Sequence, residues 1–338
     1  MAPDERESVR DRLSLLLRWS AVAVAAAGLL GVRAVQKPAA EDPGTPIEVA
    51  ITVDDLPRPA FQPDNEPAGQ VIEKLTAAFA AHHLPPVTGF VNGLRVKERP
   101  QDRAALVRWV AAGNLLGNHT YSHMDLARVP LADFFEDVDK NEPLLTRLQG
   151  APTPAHDWRV FRYPYLQEGA SEATREEVRR HLFEKGYRIA EVTVDFEDWQ
   201  WFGTFERCAA AQDEHAIAAL RARYRRAARD TLLEADRLSR ELFGRRIRQI
   251  LLLHAGTFSA EMIEDLLDEY EAMGVRFVSL DDALQDSAYH LDPRFARNWG
   301  SPFLYQVESA LQGDNPNAKW PPYPEFTSLC RPPSTSPN

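Results

Sequence analysis

Between residues 46 and 286, the chain alternates between segments typical of buried strands and segments typical of helices. Residues 47–53 form a β-branched apolar run, and residues 247–253 are the most apolar segment of this kind. Repeated strand–helix units indicate an α/β fold with a parallel sheet, either open or closed into a barrel. The seven predicted strands are residues 47–53, 87–91, 115–118, 159–163, 187–194, 247–253 and 276–280.

Each predicted strand but the last is followed by a predicted helix. Pro143 predicts a break or kink in the helix that contains it. Ser171 is a typical N-cap, and Gly186 predicts the end of the helix that Ser171 begins. We favour a barrel over an open sheet, because functional-looking residues recur just after strands, where parallel barrels place their sites. The main predicted helices are residues 69–82, 103–112, 131–149, 171–185, 214–243 and 259–273.

Residues 1–36 have the pattern of a signal peptide or an N-terminal anchor. Residues 19–32 are 14 uncharged residues, fewer than the roughly 20 that span a bilayer but suited to the core of a signal peptide. Four acidic residues offset the four preceding arginines, so an apolar helix packed on the domain is the alternative. We expect export to the periplasm, the cell envelope or the medium, with membrane association if the segment is retained; the alternative leaves the protein cytoplasmic. Residues 37–45 are a predicted linker.

Composition limits the functions open to this chain. It has 39 Lys and Arg against 50 Asp and Glu, a formal net charge of −11, which argues against nucleic acid as a partner. Its two cysteines, Cys208 and Cys330, exclude an all-cysteine zinc site and a four-cysteine iron–sulfur cluster. Any metal site must therefore use mainly oxygen and imidazole ligands. The sequence leaves open whether the two cysteines meet, and also the oligomeric state.

Residues 287–338 form a predicted extension of different character. They hold nine of the 25 prolines, so we expect an irregular Pro-rich segment laid over the domain and disordered at its end. The functional alternative is that its aromatic residues Trp299, Trp320 and Tyr323 stack on carbohydrate.

Five clusters of candidate functional residues follow predicted strands. Each has an ordinary explanation when taken alone, such as a solvated turn, an acidic loop or a histidine of the core. His119 and His123 share one face if their segment begins a helix, which suits metal ligation. Arg162 is suited to clamping a carboxylate. The clusters are Asp54-Asp55, His119-Thr120-Tyr121-Ser122-His123, Arg162-Tyr163-Pro164-Tyr165, Asp195-Phe196-Glu197-Asp198-Trp199 and His254.

In this order the clusters resemble the five motifs of the polysaccharide deacetylase family, carbohydrate esterase family 4, also called NodB-homology proteins. The family motifs read T-F-D-D-G, H-[ST]-x-x-H, R-x-P-[YF], D-x-x-D-W and L-x-H. The resemblance covers roughly residues 46–286 and implies a distorted (β/α)7 barrel, which agrees with the seven strands predicted independently.

The resemblance implies a site for a divalent metal. Asp55, His119 and His123 correspond to the family's three protein ligands, with zinc the usual ion and Co²⁺, Ni²⁺ or Mn²⁺ as alternatives. Asp54 corresponds to the general base that takes a proton from metal-bound water. Arg162 corresponds to the arginine that keeps this carboxylate oriented and ionised.

The remaining motifs imply the acid and the walls of the site. His254 corresponds to the general acid that protonates the departing amine, and a neighbouring carboxylate, Asp198 or else Asp195, would keep its imidazole charged. Trp199 and Tyr165 correspond to substrate-binding walls, with a backbone N–H near Tyr165 stabilising the oxyanion.

The implied function is removal of N-acetyl groups from an acetylated sugar or glycan. An O-acetyl esterase or a deformylase using the same site, and a non-catalytic carbohydrate-binding protein, are the alternatives. Two departures from the family pattern add expectations. Leu56 replaces the usual glycine and is expected to narrow the site. The long helical stretch after Trp199, including Trp201, Phe202 and Cys208, is expected to cover the cleft and restrict it to small substrates.

Overall fold

All seven predicted strands are present in the computed structural model, which describes residues 45–60, 67–153, 157–313 and 326–331. β1 extends through Leu56, whereas β4, β5 and β7 are only two residues long. Every strand pairing is parallel, as the repeated strand–helix units predicted. The strands are β1 Glu48–Leu56, β2 Thr88–Val91, β3 Leu115–Asn118, β4 Val160–Phe161, β5 Arg188–Ile189, β6 Gln249–His254 and β7 Arg276–Phe277.

The sheet curls until its two edges meet. Hydrogen-bonded neighbours run in the order β5-β4-β3-β2-β1-β6, and β7 pairs with the beginning of β1. Beyond β5, Ala190 N donates to Phe161 O at 2.8 Å, while Val194 pairs with β6 through a bond from Leu252 N at 3.0 Å. This short segment joins the β4 side of the sheet to β6. The sheet is therefore a distorted barrel rather than an open sheet, as expected.

Helices cover the outside of the barrel. α1 packs on α3 and α8, and the long α7 packs on α6, α8 and α10. Ser171 caps α5 as predicted, because its side chain accepts a hydrogen bond from Thr174 N. The helices in the described residues are α1 Ala68–Ala81, α2 Gly93–Glu98, α3 Arg103–Ala111, α4 Leu131–Gln149, α5 Glu172–Glu184, α6 Phe202–Ala210, α7 Glu214–Phe243, α8 Thr257–Ala272, α9 Leu280–Ala283 and α10 Phe303–Gln312.

The break predicted at Pro143 is absent, because α4 continues through this residue. A proline removes one backbone donor, but Phe134, Val138 and Leu145 of α4 are fully buried, and their packing holds both halves of the helix in place.

The extension after residue 286 contains α10, which the sequence analysis did not predict. Phe303, Leu304 and Val307 on this helix are fully buried, so part of the extension belongs to the core. Cys208 of α6 and Cys330 form a disulfide that fastens the segment 326–331 to the domain.

Several expectations fall on residues that the structure does not describe. The leader at 1–36 and all of the linker but residue 45 lie outside the described residues, as do Trp320, Tyr323 and residues 332–338. Among the described helices, none is both long and apolar enough to cross a bilayer.

Candidate active site

A cleft of about 620 Å³ opens where the strands of the barrel end. Eight of the ten candidate residues line it, and Arg162 and Asp198 lie buried directly behind it. The structure thus brings all ten together. The eight lining residues are Asp54, Asp55, His119, His123, Tyr165, Asp195, Trp199 and His254.

Asp54 and Asp55 both face this cleft, although successive side chains of a regular strand point to opposite sides. The pairing of β1 with β2 shifts register between Val53 and Leu56, and Asp55 has φ of 62°. This irregularity breaks the alternation of the strand. Two adjacent carboxylates can therefore reach the same cavity.

Asp55, His119 and His123 form a set that fits a metal ion. One ligand atom from each lies within 4.8 Å of the others. The Oδ1 of Asp55 is 3.4 Å from Nε2 of His123 and 3.7 Å from Nε2 of His119. This oxygen is buried and has no hydrogen-bond partner among the described residues. Since buried polar atoms are normally satisfied, a cation bound between the three side chains would complete the site.

The two imidazoles are prepared to act as ligands. His119 Nδ1 lies 2.8 Å from Arg162 O, which directs Nε2 toward the carboxylates. Burial lowers the pKa of His119 well below its usual value and also lowers the pKa of His123, so both rings are neutral and offer a lone pair.

Residues 119–123 do not begin a helix, so the condition under which His119 and His123 would share a helical face is not met. The segment is a turn in which Thr120 and His123 both have φ of 59°. Asn118 Oδ1 accepts a hydrogen bond from Thr120 N at 3.0 Å, which holds the turn. The imidazoles meet because of this turn and not because of helical spacing.

Arg162 holds Asp54 from behind the cleft. Its Nη1 is 3.2 Å and 3.3 Å from the two carboxylate oxygens. Its Nε donates to Ala190 O at 2.7 Å, and its Nη2 donates to Thr52 Oγ1 at 3.1 Å. Burial raises the pKa of Asp54 to about 6 even though the positive charge of Arg162 opposes this shift. The carboxylate is therefore both fixed in position and a better proton acceptor than an exposed aspartate.

His254 is held in the opposite way, by a buried carboxylate. Asp198 Oδ1 is 2.6 Å from His254 Nδ1, and Oδ2 accepts from His254 N at 2.9 Å and from the hydroxyl of Ser259. Burial alone would lower the pKa of His254, but the charge of Asp198 outweighs burial and raises it to about 10. The ring is therefore an imidazolium that can donate a proton to the cleft.

Asp195 does not contact His254 through any described hydrogen bond. Its Oδ1 accepts from Glu197 N at 2.7 Å, and burial raises the pKa of its carboxyl to about 7. Of the two carboxylates considered as partners of His254, the geometry selects Asp198.

Among the described residues, three aromatic side chains that line the cleft are exposed. Tyr165 is 60% exposed, Trp199 is 41% exposed, and Trp299 from the extension is 56% exposed. The first two were predicted as walls of the site. Trp299 was singled out only as a residue suited to stacking, because nothing in its sequence context indicated which surface it would join.

The two departures from the family pattern do not alter the cleft as expected. Leu56 is fully buried against Gly89 and is absent from the lining, so it does not narrow the site. Trp201 is buried and stacks on Phe326, with ring centroids 3.9 Å apart. Phe202 is likewise buried, against Gly256. No residue of α6 or α7 lines the cleft, so this stretch supports the barrel and does not cover the site.

Thr52 and Ser259 were missed by the sequence analysis. The Thr52 hydroxyl accepts a hydrogen bond from Arg162, the partner of Asp54. The Ser259 hydroxyl donates one to Asp198, the partner of His254. Thr52 directly precedes Val53-Asp54, so its place in the motif was a usable signal. Ser259 lies on α8, and its position carried no signal in the sequence.

Residues 41–190 match the family model for polysaccharide deacetylase. This match covers less than half of the chain, and the parallel barrel and the five motifs are consistent with it.

Similar proteins include deacetylases and one protein described as a pseudoenzyme. The chain is 30% identical over 155 residues to a peptidoglycan-N-acetylglucosamine deacetylase of Bacillus cereus, covering 45% of this chain and 46% of that protein. It is 34% identical over 117 residues to a chitooligosaccharide deacetylase of Sinorhizobium fredii, covering 35% and 46%. The crystal structure of a CE4 family pseudoenzyme from Bacillus anthracis has a TM-score of 0.45 at 17% identity, covering 72% of this chain and 67% of that one. The matches span about half the length of these curated relatives.

Proposed function

We propose that this protein is a metal-dependent hydrolase that removes N-acetyl groups from an acetylated sugar or glycan. One observation carries the proposal. A ligand set of Asp55, His119 and His123 lies in the same cleft as a carboxylate held by an arginine and an imidazolium held by a carboxylate. Metal-assisted amide hydrolysis uses a polarising cation, a general base and a general acid, and these residues would supply all three.

The ligand set would hold a divalent cation, with Zn²⁺ the best fit to one carboxylate and two imidazoles and Co²⁺, Ni²⁺ or Mn²⁺ as alternatives. When bound, such an ion polarises an acyl carbonyl and makes a water more acidic. Asp54 is the base that accepts the proton of the attacking water. Arg162 keeps the Asp54 carboxylate ionised and fixed in orientation.

His254 is the acid in this scheme. An amine leaves poorly as an anion, so the amide nitrogen has to be protonated as its bond to carbon breaks. The Asp198 carboxylate keeps the proton on His254 available at neutral pH. A backbone N–H in the loop at Tyr165 would donate to the oxyanion that forms on the carbonyl oxygen.

Separate observations support the proposed substrate class and the proposed location. The curated relatives are named for peptidoglycan and chitooligosaccharides, so an N-acetylated amino sugar is the proposed substrate. The disulfide between Cys208 and Cys330 fits an oxidising compartment. We therefore propose export through the leader at 1–36, with membrane association if that segment is retained.

The test combines activity with metal content. Zinc-loaded protein is assayed for acetate release from chitin oligosaccharides, peptidoglycan and acetylated xylan. Asp54→Asn and His254→Gln should abolish turnover and still bind zinc, because neither residue is in the ligand set. His119→Ala should lose the zinc.

A fully active Asp54→Asn protein would contradict the proposal. A wild-type protein that binds oligosaccharide but releases no acetate would indicate the non-catalytic carbohydrate-binding alternative.

The esterase and deformylase alternatives use the same ligand set and Asp54. The esterase differs in the leaving group, since an alcohol requires less protonation than an amine, whereas a deformylase differs in the acyl group. If the natural substrate is an ester, His254→Gln should reduce activity on acetylated xylan far less than Asp54→Asn does. A formamide substrate hydrolysed faster than the acetamide would indicate a deformylase.

A further inference from the structure

Part of the cleft wall comes from the extension and not from the region matched by the family. Trp299, Gly300, Ser301 and Tyr305 line the cleft, more than 100 residues beyond the end of the family match at residue 190. We call residues 297–303 the strap, because this stretch supplies Trp299, Gly300 and Ser301 to the cleft wall and runs between two fixed points.

Both ends of the strap are held by backbone hydrogen bonds. Arg297 N donates to Gly169 O at 3.1 Å, and Phe303 N donates to Val192 O at 2.7 Å. The first bond fixes the strap to the loop that follows Tyr165. The second fixes it to the segment that closes the barrel.

The middle of the strap lies directly on the Tyr165 loop. A Cβ at Gly300 would overlap the carbonyl oxygen of Tyr165 and the backbone of Leu166, so only glycine allows this approach. Tyr165 and Leu166 both have positive φ, at 58° and 53°. The contact therefore couples the position of Trp299 to an unusual turn that itself lines the cleft.

A buried polar contact supports the strap from below. Gln306 Nε2 donates to Ser301 O at 2.8 Å and to Glu168 Oε1 at 2.9 Å. Both Gln306 and Glu168 are almost completely buried. The strap is thus built into the domain, and Trp299 is presented by a fixed backbone.

Trp299 nevertheless leaves more than half of its side chain in solvent, at 56%. A large aromatic ring that is carried on a fixed backbone and exposed in a cleft is characteristic of a binding position. The pyranose ring of a sugar has apolar C–H faces that pack on aromatic rings. Asp195 and Glu197 also line the cleft, which favours a neutral sugar over one that carries a carboxylate.

We propose that Trp299 forms a sugar-binding subsite in which it stacks on a second, neutral saccharide unit next to the acetylated one. The proposal rests on the proposed deacetylase function and deepens it. The preferred substrate would be an oligomer of a neutral N-acetylated amino sugar, longer than one unit.

The experiment compares Trp299→Ala and Trp299→Phe with wild type in the zinc-loaded, full-length protein. Acetate release is measured with the tetramer of N-acetylglucosamine and with a small aryl acetate that has no second sugar. Trp299→Ala should raise KM for the tetramer by about tenfold, an effect typical of a well-placed aromatic contact. Its loss in kcat/KM on the tetramer should exceed its loss on the aryl acetate by about the same factor. Trp299→Phe should recover most of the affinity.

The matched control is Leu233→Ala, which truncates a 46% exposed apolar side chain on α7 outside the cleft. It should behave as wild type on both substrates. Equal losses by Trp299→Ala on the tetramer and the aryl acetate, or no loss on either, would overturn the proposal.

Failure of the deacetylase function gives a different result from failure of the subsite. If wild type releases no acetate from any substrate, the proposed function is wrong. The subsite is then decided by calorimetric titration of the zinc-loaded proteins with the tetramer. Binding about tenfold weaker in Trp299→Ala supports the subsite, whereas equal binding by the two proteins, or none by wild type, overturns it.

Discussion

Two charged pairs stand on opposite sides of the same cleft and use one arrangement to opposite effect. In the first, the buried arginine Arg162 holds the carboxylate of Asp54. In the second, the buried carboxylate Asp198 holds the imidazole of His254. The pKa of Asp54 is raised to about 6 and that of His254 to about 10. Burial makes Asp54 a better proton acceptor against the influence of Arg162, whereas the charge of Asp198 makes His254 a proton donor against the influence of burial.

Only one of the two pairs lies within the region that matches the family model. Asp54 and Arg162 lie within residues 41–190, whereas Asp198 and His254 lie beyond that range. We refer to the surroundings of Asp54 as the base side and to those of His254 as the acid side. The four predictions that follow test whether the two sides are equivalent in rigidity and in their effect on activity.

The largest effect is expected at the acid side. Asp198→Asn removes the charge that keeps His254 protonated, so we expect kcat to fall about 1000-fold, within the usual range for general acid catalysis. The acid is active only while protonated, so activity is lost as pH rises through the pKa of His254. In the variant this pKa falls, and the alkaline limb of the pH–rate profile should move to lower pH.

The groups facing His254 include Asp54 and Asp55 as well as Asp198. In the Asp198→Asn variant, the first two carboxylates still raise the pKa of His254, but by less. Asp195→Asn is the matched control, since Asp195 is a buried carboxyl in the same turn without a described bond to His254. If the alkaline limb of the pH–rate profile moved further in Asp195→Asn than in Asp198→Asn, the assignment of Asp198 as the partner of His254 would be wrong.

A smaller effect is expected at the base side. Arg162→Lys keeps a positive charge but cannot reach Asp54, Thr52 and Ala190 at once. We expect kcat to fall about 100-fold, as for a misplaced catalytic group, with zinc content unchanged. Arg162 also contacts the ligand set, through the hydrogen bond between its backbone carbonyl oxygen and His119 Nδ1. Loss of zinc together with activity would show that Arg162 supports the ligand set.

A still smaller loss of activity is expected on substitution of Thr52, which lies behind Arg162. Thr52→Val preserves shape but removes the hydroxyl that accepts from Arg162 and donates to Leu251 O at 2.7 Å. We expect kcat to fall about tenfold, corresponding to one or two buried hydrogen bonds. Thr52→Ser keeps the hydroxyl and should retain most of the activity. Equal losses in the two variants would attribute the effect to packing.

The smallest effect on activity is expected for the disulfide, which lies behind the acid side at α6. The Cys208→Ser, Cys330→Ser double variant should keep kcat within about twofold, because neither cysteine lines the cleft. Its free energy of unfolding should fall by about 2–4 kcal/mol, as is typical for such cross-links, measured by urea denaturation. A selective loss of activity at unchanged stability would instead show that the disulfide positions the Trp199 turn.

The sequence predicted the barrel and the contents of the site because each strand and each motif is recognisable from a short segment of the chain. Seven strands are visible as apolar runs, and parallel strands bring their carboxyl ends to one edge, so residues far apart in sequence meet there. The candidate metal ligands, the proposed base and the proposed acid lie at or near the ends of predicted strands, and the resemblance to the family motifs is what assigned their roles.

The remaining features depend on contacts that no local pattern encodes. The turn at His119–His123 requires positive φ at Thr120 and His123. Threonine and histidine do not by themselves indicate this conformation. Leu56 was expected to narrow the cleft, but the irregularity of β1 turns it into the core. α10 was obscured by the prolines around it, although the spacing of Phe303, Leu304 and Val307 is that of a buried helical face.

The register of β1 and β6 has a consequence for the motions of the site. Asp54 and His254 are direct partners at the end of an unbroken ladder that begins at Val49 and Gln249. The backbone segments that carry the proposed base and the proposed acid therefore cannot separate by local opening of a loop, and amide hydrogens along β6 should exchange only when the whole domain unfolds.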